Sequence, residues 1–385
     1  MKNYKLLFFS FLVLLTFSKY SLSMDTVAKQ AIMIDPDTGQ ILLDKNSDEL
    51  MKPASMAKLM TIYIAFEKIK NKSISLDDKF IVSEKAWKKR GSRTFLEPGQ
   101  TVSVEDLLRG VIVQSGNDAA IVLAEGISGT EDIFSDLMNS VARELKMDNT
   151  IFKNSTGWPD PQQNTSSRDL SILALNIINK FPDLYKMFAE ISFTYNGIKQ
   201  GNRNPILYNN LVFGADGLKT GHTQESGYGL VASAKRDNLR FILVLNGMTS
   251  MRQRKQESSR LLNSAFREFK KLKLYNLNET VTEAKVFLGE SDNISLIVKD
   301  EINLLLNSVE QREMKVKAKW EEPISAPVSK DTVLGSLTIE IPNKTVLSYP
   351  LYAGNDIQKQ GFIKRIGSTI DYIIWGSVKW YSVFK

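Results

Sequence analysis

Apolar residues along the chain change period several times, and each change marks an element. The run from Leu6 to Phe17, broken at Ser10 and Thr16, follows Lys2 and Lys5 and leads to Ser21-Leu22-Ser23. A basic start, a short apolar run and a small-x-small site predict a secretory signal over 1–23, cleaved after Ser23; the alternative is an uncleaved anchor. Apolar stretches at 31–34 and 40–43 flank Asp35-Pro36-Asp37-Thr38-Gly39, the pattern of a hairpin. From Ser55 to Lys70 the residues Met56, Leu59, Met60, Tyr63, Ile64 and Ile69 fall near helical spacing, with Pro53 at the run-in. Residues 104–115 and 118–125 read as helices on either side of Gly116, and 166–179 as another behind Ser166. Residues 218–219, 228–234 and 240–245 read as strands, and 256–270 as a closing helix. The segregation predicts an α+β domain over 24–273, an antiparallel sheet flanked by helices.

Beyond Lys273 the pattern becomes short alternating runs between turns, such as 284–288, 295–298, 314–318, 333–339 and 345–351. These predict a small all-β domain over 274–358. The last stretch, 359–385, changes again. Phe362, Ile363, Ile366, Ile370, Ile373, Ile374, Val378, Trp380, Tyr381 and Phe384 share one helical face, opposite Lys364, Arg365, Ser368, Asp371 and Lys379. Aromatics facing one way and cations the other predict an amphipathic helix lying on a membrane surface, one too often interrupted by charge to span it. A helix packed on the protein's own core is the competing reading.

Composition narrows the chemistry. The 385 residues include no cysteine, so thiol catalysis and thiolate metal sites are excluded and stability must come from sizeable cores. His222 is the single histidine. A histidine-rich zinc site is therefore impossible, and a Ser-His-Asp triad would have one imidazole available. If a serine acts as nucleophile here, proton transfer falls to lysine; no metal or cofactor is called for. Cleavage after Ser23 lowers the net charge from +7 to +4, spread along the chain without the dense stripe that nucleic-acid binding requires.

Three short motifs carry candidate chemistry. Ser55-Met56-Ala57-Lys58 is a Ser-x-x-Lys at a helix start, where residues three apart share a face. A serine hydroxyl needs a base beside it, and a lysine serves if burial or nearby cations lower its pKa. Ser115-Gly116-Asn117 offers a hydroxyl and an amide beside a glycine, and Lys219-Thr220-Gly221 an ammonium, a hydroxyl and a position without Cβ. Each alone is weak: Ser382-Val383-Phe384-Lys385 also matches the first pattern. A literal Ser291-Asp292-Asn293 comes after Lys-Thr-Gly, inside the β domain, and its order rejects it.

In the order 55, 115, 219 the triple resembles the penicillin-recognising serine enzymes, with their β-lactamase/transpeptidase-like fold. Pro53 to Thr61, Gln114 to Ala119 and Asp216 to Thr223 are similar to the low-molecular-mass penicillin-binding proteins, specifically the D-alanyl-D-alanine carboxypeptidases. The resemblance implies that Ser55 forms an acyl-enzyme, Lys58 takes its proton, and Ser115 and Lys219 complete a proton relay. It further implies that Asn117 positions the substrate amide, and that Lys219, Thr220, Gly221 and His222 line the binding strand. The backbone N–H groups of Ser55 and His222 would form the oxyanion hole, leaving the His222 side chain a local hydrogen-bonding role. Thr220 and Arg254 would take the terminal carboxylate, with Arg252 as rival and a solvated loop over 251–255 as the plain alternative. The implied substrate is a peptidoglycan stem peptide, the implied inhibitors are β-lactams, and the implied place is the periplasmic face of the cytoplasmic membrane, held through 361–385. No glutamate between the second and third motifs begins the Glu-x-x-Leu-Asn of class A β-lactamases, which makes an efficient β-lactamase the lesser alternative. A non-catalytic wall-binding module is a third.

Overall fold

Long apolar stretches in the strands foretell a sheet covered on both faces. The computed structural model describes residues 24–342, 344–361 and the backbone of 381–384. Among them β1 (Gln30–Ile34), β2 (Ile41–Lys45), β3 (Ala215–Thr223), β4 (Gly227–Arg236) and β5 (Leu239–Met248) form an antiparallel sheet ordered β2-β1-β5-β4-β3. Because side chains alternate along a strand, Ile32, Val231, Ile242 and Val244 enter one core while Ala31, Met33, Leu230, Ala232, Leu243 and Leu245 enter the other. β3 is an edge strand.

The first core is built round α1 (Lys58–Lys70), whose nine residues from Lys58 to Phe66 are all buried. A helix apolar on every side belongs inside a domain. It is enclosed by α2 (Val104–Val113), α3 (Asn117–Ser128), α4 (Glu131–Glu144) and α5 (Ser167–Lys180). The second core lies under α6 (Met251–Glu268), through Leu261, Leu262 and Ala265. Helix starts follow side-chain caps: Ser103, Thr130, Ser166 and Ser250 each accept a backbone N–H three residues on.

Two of the expected helices differ at their ends. The segment beginning at Ser55 opens as a 3-10 turn, Ala54–Ala57, before the α-helix starts at Lys58. Met56 N donates to Pro53 O at 3.1 Å, the tighter spacing of that turn. The closing helix starts five residues earlier than its periodicity suggested, because Ser250 caps it, and stops at Glu268. Residues 251–255 are therefore helical, not a solvated loop.

The all-β unit begins with β6 (Phe269–Tyr275), so the expected helical end at Lys270 is strand. With β7 (Thr280–Phe287), β8 (Asn293–Ile297), β9 (Ile302–Asn307), β10 (Lys315–Trp320), β11 (Ile324–Ser325), β12 (Val333–Glu340), β13 (Leu347–Ala353) and β14 (Tyr381–Phe384) it forms two sheets. β6 pairs with β9; the other runs β11-β7-β8-β13-β12-β10-β14. Leu296, Leu304, Trp320, Leu337 and Leu351 share its core. The secretory signal over 1–23 and most of the amphipathic helix over 361–385 lie outside the described residues. Tyr381–Phe384 are strand, paired with Lys317–Trp320 at the sheet edge, which corrects the helix expected there. No helix among the described residues is long and apolar enough to cross a membrane.

Phe66 is fully buried on α1, edge-on to Phe181 at 5.7 Å and to Phe188 at 6.3 Å. Phe66→Ala should lower unfolding stability by about 3–5 kcal/mol, read as a drop in urea midpoint.

Candidate active site

A 3-10 turn eclipses residues three apart, which an α-helix does only loosely. That turn sets Ser55 directly beside Lys58, with Lys58 Nζ donating to Ser55 Oγ at 3.0 Å. The same ammonium donates to Asn117 Oδ1 at 2.7 Å and to Thr156 O at 2.6 Å. Lys58 is wholly buried while Ser55 remains partly open. The nucleophile candidate thus faces solvent over a base candidate that does not.

Two glycines let the turn be approached this closely. Gly157 has φ +75°, and a Cβ there would lie 1.7 Å from Ala54 O. A Cβ on Gly221 would meet Pro53 O and Met56 Cγ at 3.0 Å, so edge strand β3 sits against the serine turn because position 221 has no side chain. Lys219, two residues earlier on that strand, is buried, and its Nζ reaches Thr220 O at 3.3 Å. Thr220 is buried beside it.

The third wall is the α2–α3 junction. Ser115 takes φ +63°, a conformation that costs a non-glycine residue roughly 1–3 kcal/mol and marks constrained sites. Its Oγ is buried with no hydrogen-bond partner. Asn117 is fixed three ways: its N–H donates to Ser92 O at 2.7 Å, its Nδ2 to Arg90 O at 2.8 Å, and its Oδ1 accepts from Lys58.

The comparisons with known proteins fit this arrangement. Residues 18–249 match the family model described as D-alanyl-D-alanine carboxypeptidase, and residues 269–359 match the C-terminal domain of penicillin-binding protein 5. The chain belongs to the D-alanyl-D-alanine carboxypeptidase family. It is 35% identical over 351 residues to D-alanyl-D-alanine carboxypeptidase DacF of Bacillus subtilis, covering 89% of each chain. Among solved structures it is similar to the carboxypeptidase DacD from Francisella tularensis, at TM-score 0.76 and 29% identity over 88% of this chain and 95% of that one. Penicillin binding protein 5 from Haemophilus influenzae superposes at TM-score 0.74 with 35% identity, over 87% of this chain and 99% of the other. The chain is accordingly a serine hydrolase, and the fold class expected from its sequence is the one observed for its two folded domains.

Electrostatics in this carboxypeptidase are dominated by burial. Removal from water lowers the Lys58 pKa to about 7, helped by Arg203 and Lys89 and opposed by Asp118 and Glu131. Burial also holds Lys219 well below the ordinary lysine range, with Lys58, Arg203 and Arg254 adding repulsion. Charge on Lys58 thus disfavours charge on Lys219. Neither of the two carboxylates acting on Lys58 is free: Asp118 accepts from the N–H groups of Thr94, Phe95 and Leu96, while Glu131 accepts from Ser155 and pairs with Lys85 at 2.8 Å.

Arg254 is buried under the sheet, its Nη1 3.5 Å from Gly229 O, and burial lowers its pKa to about 10. Arg252, two residues earlier and on the far side of the helix, is exposed. The His222 ring is exposed and stacks on Tyr228, its cross-strand partner, with centroids 3.9 Å apart. That contact stands where a local hydrogen bond was expected. Sequence reasoning missed Thr156, which acts through its backbone oxygen and leaves no residue-type signal. It also missed Asp118, Glu131 and Arg203, which act through burial and charge.

A lysine that accepts a proton must be neutral, so with Lys58 as the candidate base activity should fall about tenfold per unit as pH drops below about 7. Arg203→Ala removes a cation that disfavours its charged form, so the acid limb should move to higher pH. A pH profile of kcat/KM for both proteins checks the direction.

Proposed function

We propose that the chain removes the terminal D-alanine from peptidoglycan stem peptides through an acyl-enzyme on Ser55. Ser55 Oγ attacks the carbonyl carbon of the penultimate D-alanine and passes its proton to Lys58. The N–H groups of Ser55 and His222 take the oxyanion, a contribution of about 3–4 kcal/mol for one donor. Collapse of the tetrahedral intermediate breaks the peptide bond, and the departing amine receives a proton through Ser115 and Lys219. Water then hydrolyses the ester, freeing Ser55. Asn117 holds the substrate amide, and the peptide lies along edge strand β3 at Gly221, where backbone pairing is open to a ligand. Thr220 and Arg254 take the terminal carboxylate; the burial of Arg254 and the exposure of Arg252 favour this choice.

The observation that carries this reading is Lys58, buried, held by three oxygens, one of them Ser55 Oγ, and shifted to about pKa 7. A β-lactam would acylate the same serine, in keeping with the name of the Haemophilus relative, penicillin binding protein 5. A β-lactamase needs an activated water to clear that adduct, and the commitment of Asp118 and Glu131 elsewhere argues for slow turnover. Ser55→Ala should abolish both benzylpenicillin labelling, read by intact mass, and D-alanine release. Ser291→Ala and Ser382→Ala should leave both intact; Ser291 lies exposed in the β7–β8 turn. Labelling that survives Ser55→Ala would sink the assignment.

Localisation follows the same reading: export by residues 1–23, with the part of 361–385 that precedes strand β14 holding the enzyme to the periplasmic face of the membrane. The cations of that segment contribute roughly 1 kcal/mol each near anionic lipid. Deleting residues 361–385 should release a soluble enzyme that still hydrolyses a short D-Ala-D-Ala peptide. Sedimentation of the truncated protein with membranes would show that the anchor lies elsewhere.

A further inference from the structure

The serine turn has a second rim, opposite β3, that the reaction just described does not use. It consists of the loop 89–93 and Trp158. The loop is tied to the centre by Asn117, which bonds to both Ser92 O and Arg90 O. Gly91 there has φ +90°, and a Cβ on it would lie 2.9 Å from Asn117 Nδ2 and 3.1 Å from the Trp158 ring. The indole therefore stands within contact distance of the loop beside Asn117, two residues from the Thr156 oxygen that holds Lys58.

Trp158 is 40% exposed although its backbone is rigidly placed. Its N–H donates to Asn154 Oδ1 at 2.9 Å, and its carbonyl accepts from Asn154 Nδ2 at 3.0 Å and from Gln163 Nε2 at 3.1 Å. A large aromatic surface held in the open at a catalytic mouth suits a ligand better than a core. Lys89 Nζ lies 4.5 Å from the ring centroid, within cation–π range.

Charge on this rim is one-sided. The neighbouring Lys85 and Lys88 are neutralised by Glu131 and Glu84. Lys89 and Arg90 form no ion pair among the described residues. Half-buried Lys89 is also partly stripped of water, which lowers its pKa and makes a fixed anion beside it favourable. The terminal carboxylate of the substrate is assigned above to Arg254, which leaves these two cations free for another part of the peptide.

We propose that Trp158, Lys89 and Arg90 form a specificity subsite for the stem residue preceding the D-Ala-D-Ala pair, selecting an aliphatic side chain that ends in a carboxylate. The methylenes lie on the indole face and the carboxylate reaches Lys89 and Arg90. The proposal rests on the hydrolase reading above and adds to it a preference between substrates.

Two stem peptides serve as probes, identical except that the third-residue side chain ends in a free carboxylate or in its carboxamide. The untruncated protein, purified in detergent, should show kcat/KM about tenfold higher on the free carboxylate, the size of one partly exposed charge-assisted contact. The ratio should shrink in high salt. Lys89→Gln combined with Arg90→Gln should bring the two peptides within about twofold, while Lys89→Arg keeps the preference. Trp158→Ala should reduce kcat/KM on both peptides alike. Because Lys89 also acts on Lys58, the ratio is taken at each pH, where a change in base strength cancels between substrates. Equal rates on the two peptides, or a preference that survives the double substitution, would overturn this subsite and leave the hydrolase reading standing. Release of D-alanine from neither peptide would overturn both.

Discussion

The structure turns on keeping an ammonium group out of water without neutralising it by a carboxylate. An isolated charge buried in an apolar core is too costly to persist, and a lysine answers by giving up its proton. Lys58 stands at that balance. It is surrounded by the core of α1 yet meets three oxygens, and it settles near a pKa of 7. A carboxylate salt-bridged to it would restore an ordinary lysine and remove the candidate base. Asp118 and Glu131 lie close enough to matter, and both are bound by backbone N–H groups or by Lys85. Their commitment elsewhere is as necessary as their presence.

The same two carboxylates also build the walls. Asp118 gathers the amides of 94–96 and so orders the segment that continues back to Ser92 and Arg90, where Asn117 is fixed. Glu131 fixes Ser155, one residue before the Thr156 carbonyl. Thr61 on α1 donates to Ser155 O at 2.7 Å, locking that loop to the helix that carries Lys58. Each acid therefore sets the position of one of the oxygens around the ammonium while acting on it from a distance. Two Cβ-free positions, Gly157 and Gly221, then let loop and strand close on the serine turn.

Much of this was legible in the sequence, for identifiable reasons. Strands and helices with strong period were found, because burial on a defined face writes itself into the pattern: the hairpin at 31–43 and the long antiparallel strands are examples. The three motifs were found because their chemistry lies in side chains. What escaped was tertiary. The 3-10 start at Ala54 depends on contacts from Gly157 and Gly221, far along the chain, and helical periodicity does not register it. Residues 251–255 looked like a basic loop because four of their side chains do meet solvent; only Arg254 turns inward, and the Ser250 cap was the available clue. At Tyr381–Phe384 a 3.6 period continued on paper while the sheet edge at β10 offered backbone hydrogen bonds, and pairing prevailed.

Lysine in place of histidine has a consequence for how the centre can work. An imidazole begins near neutrality and needs little environment; a lysine must be brought down by several units, which requires burial and further cations. Arg203 and Lys89 provide that charge at Lys58, and Lys58 in turn disfavours the charged form of Lys219, which burial already holds low. A proton taken up by Lys58 makes protonation of Lys219 harder, and loss of one from either side eases uptake by the other. A single proton shared between serine and leaving amine, as in the proposed reaction, suits a pair in which charge on Lys58 disfavours charge on Lys219. Burial, which lowers both lysines, therefore makes the charge state of Lys219 depend on that of Lys58.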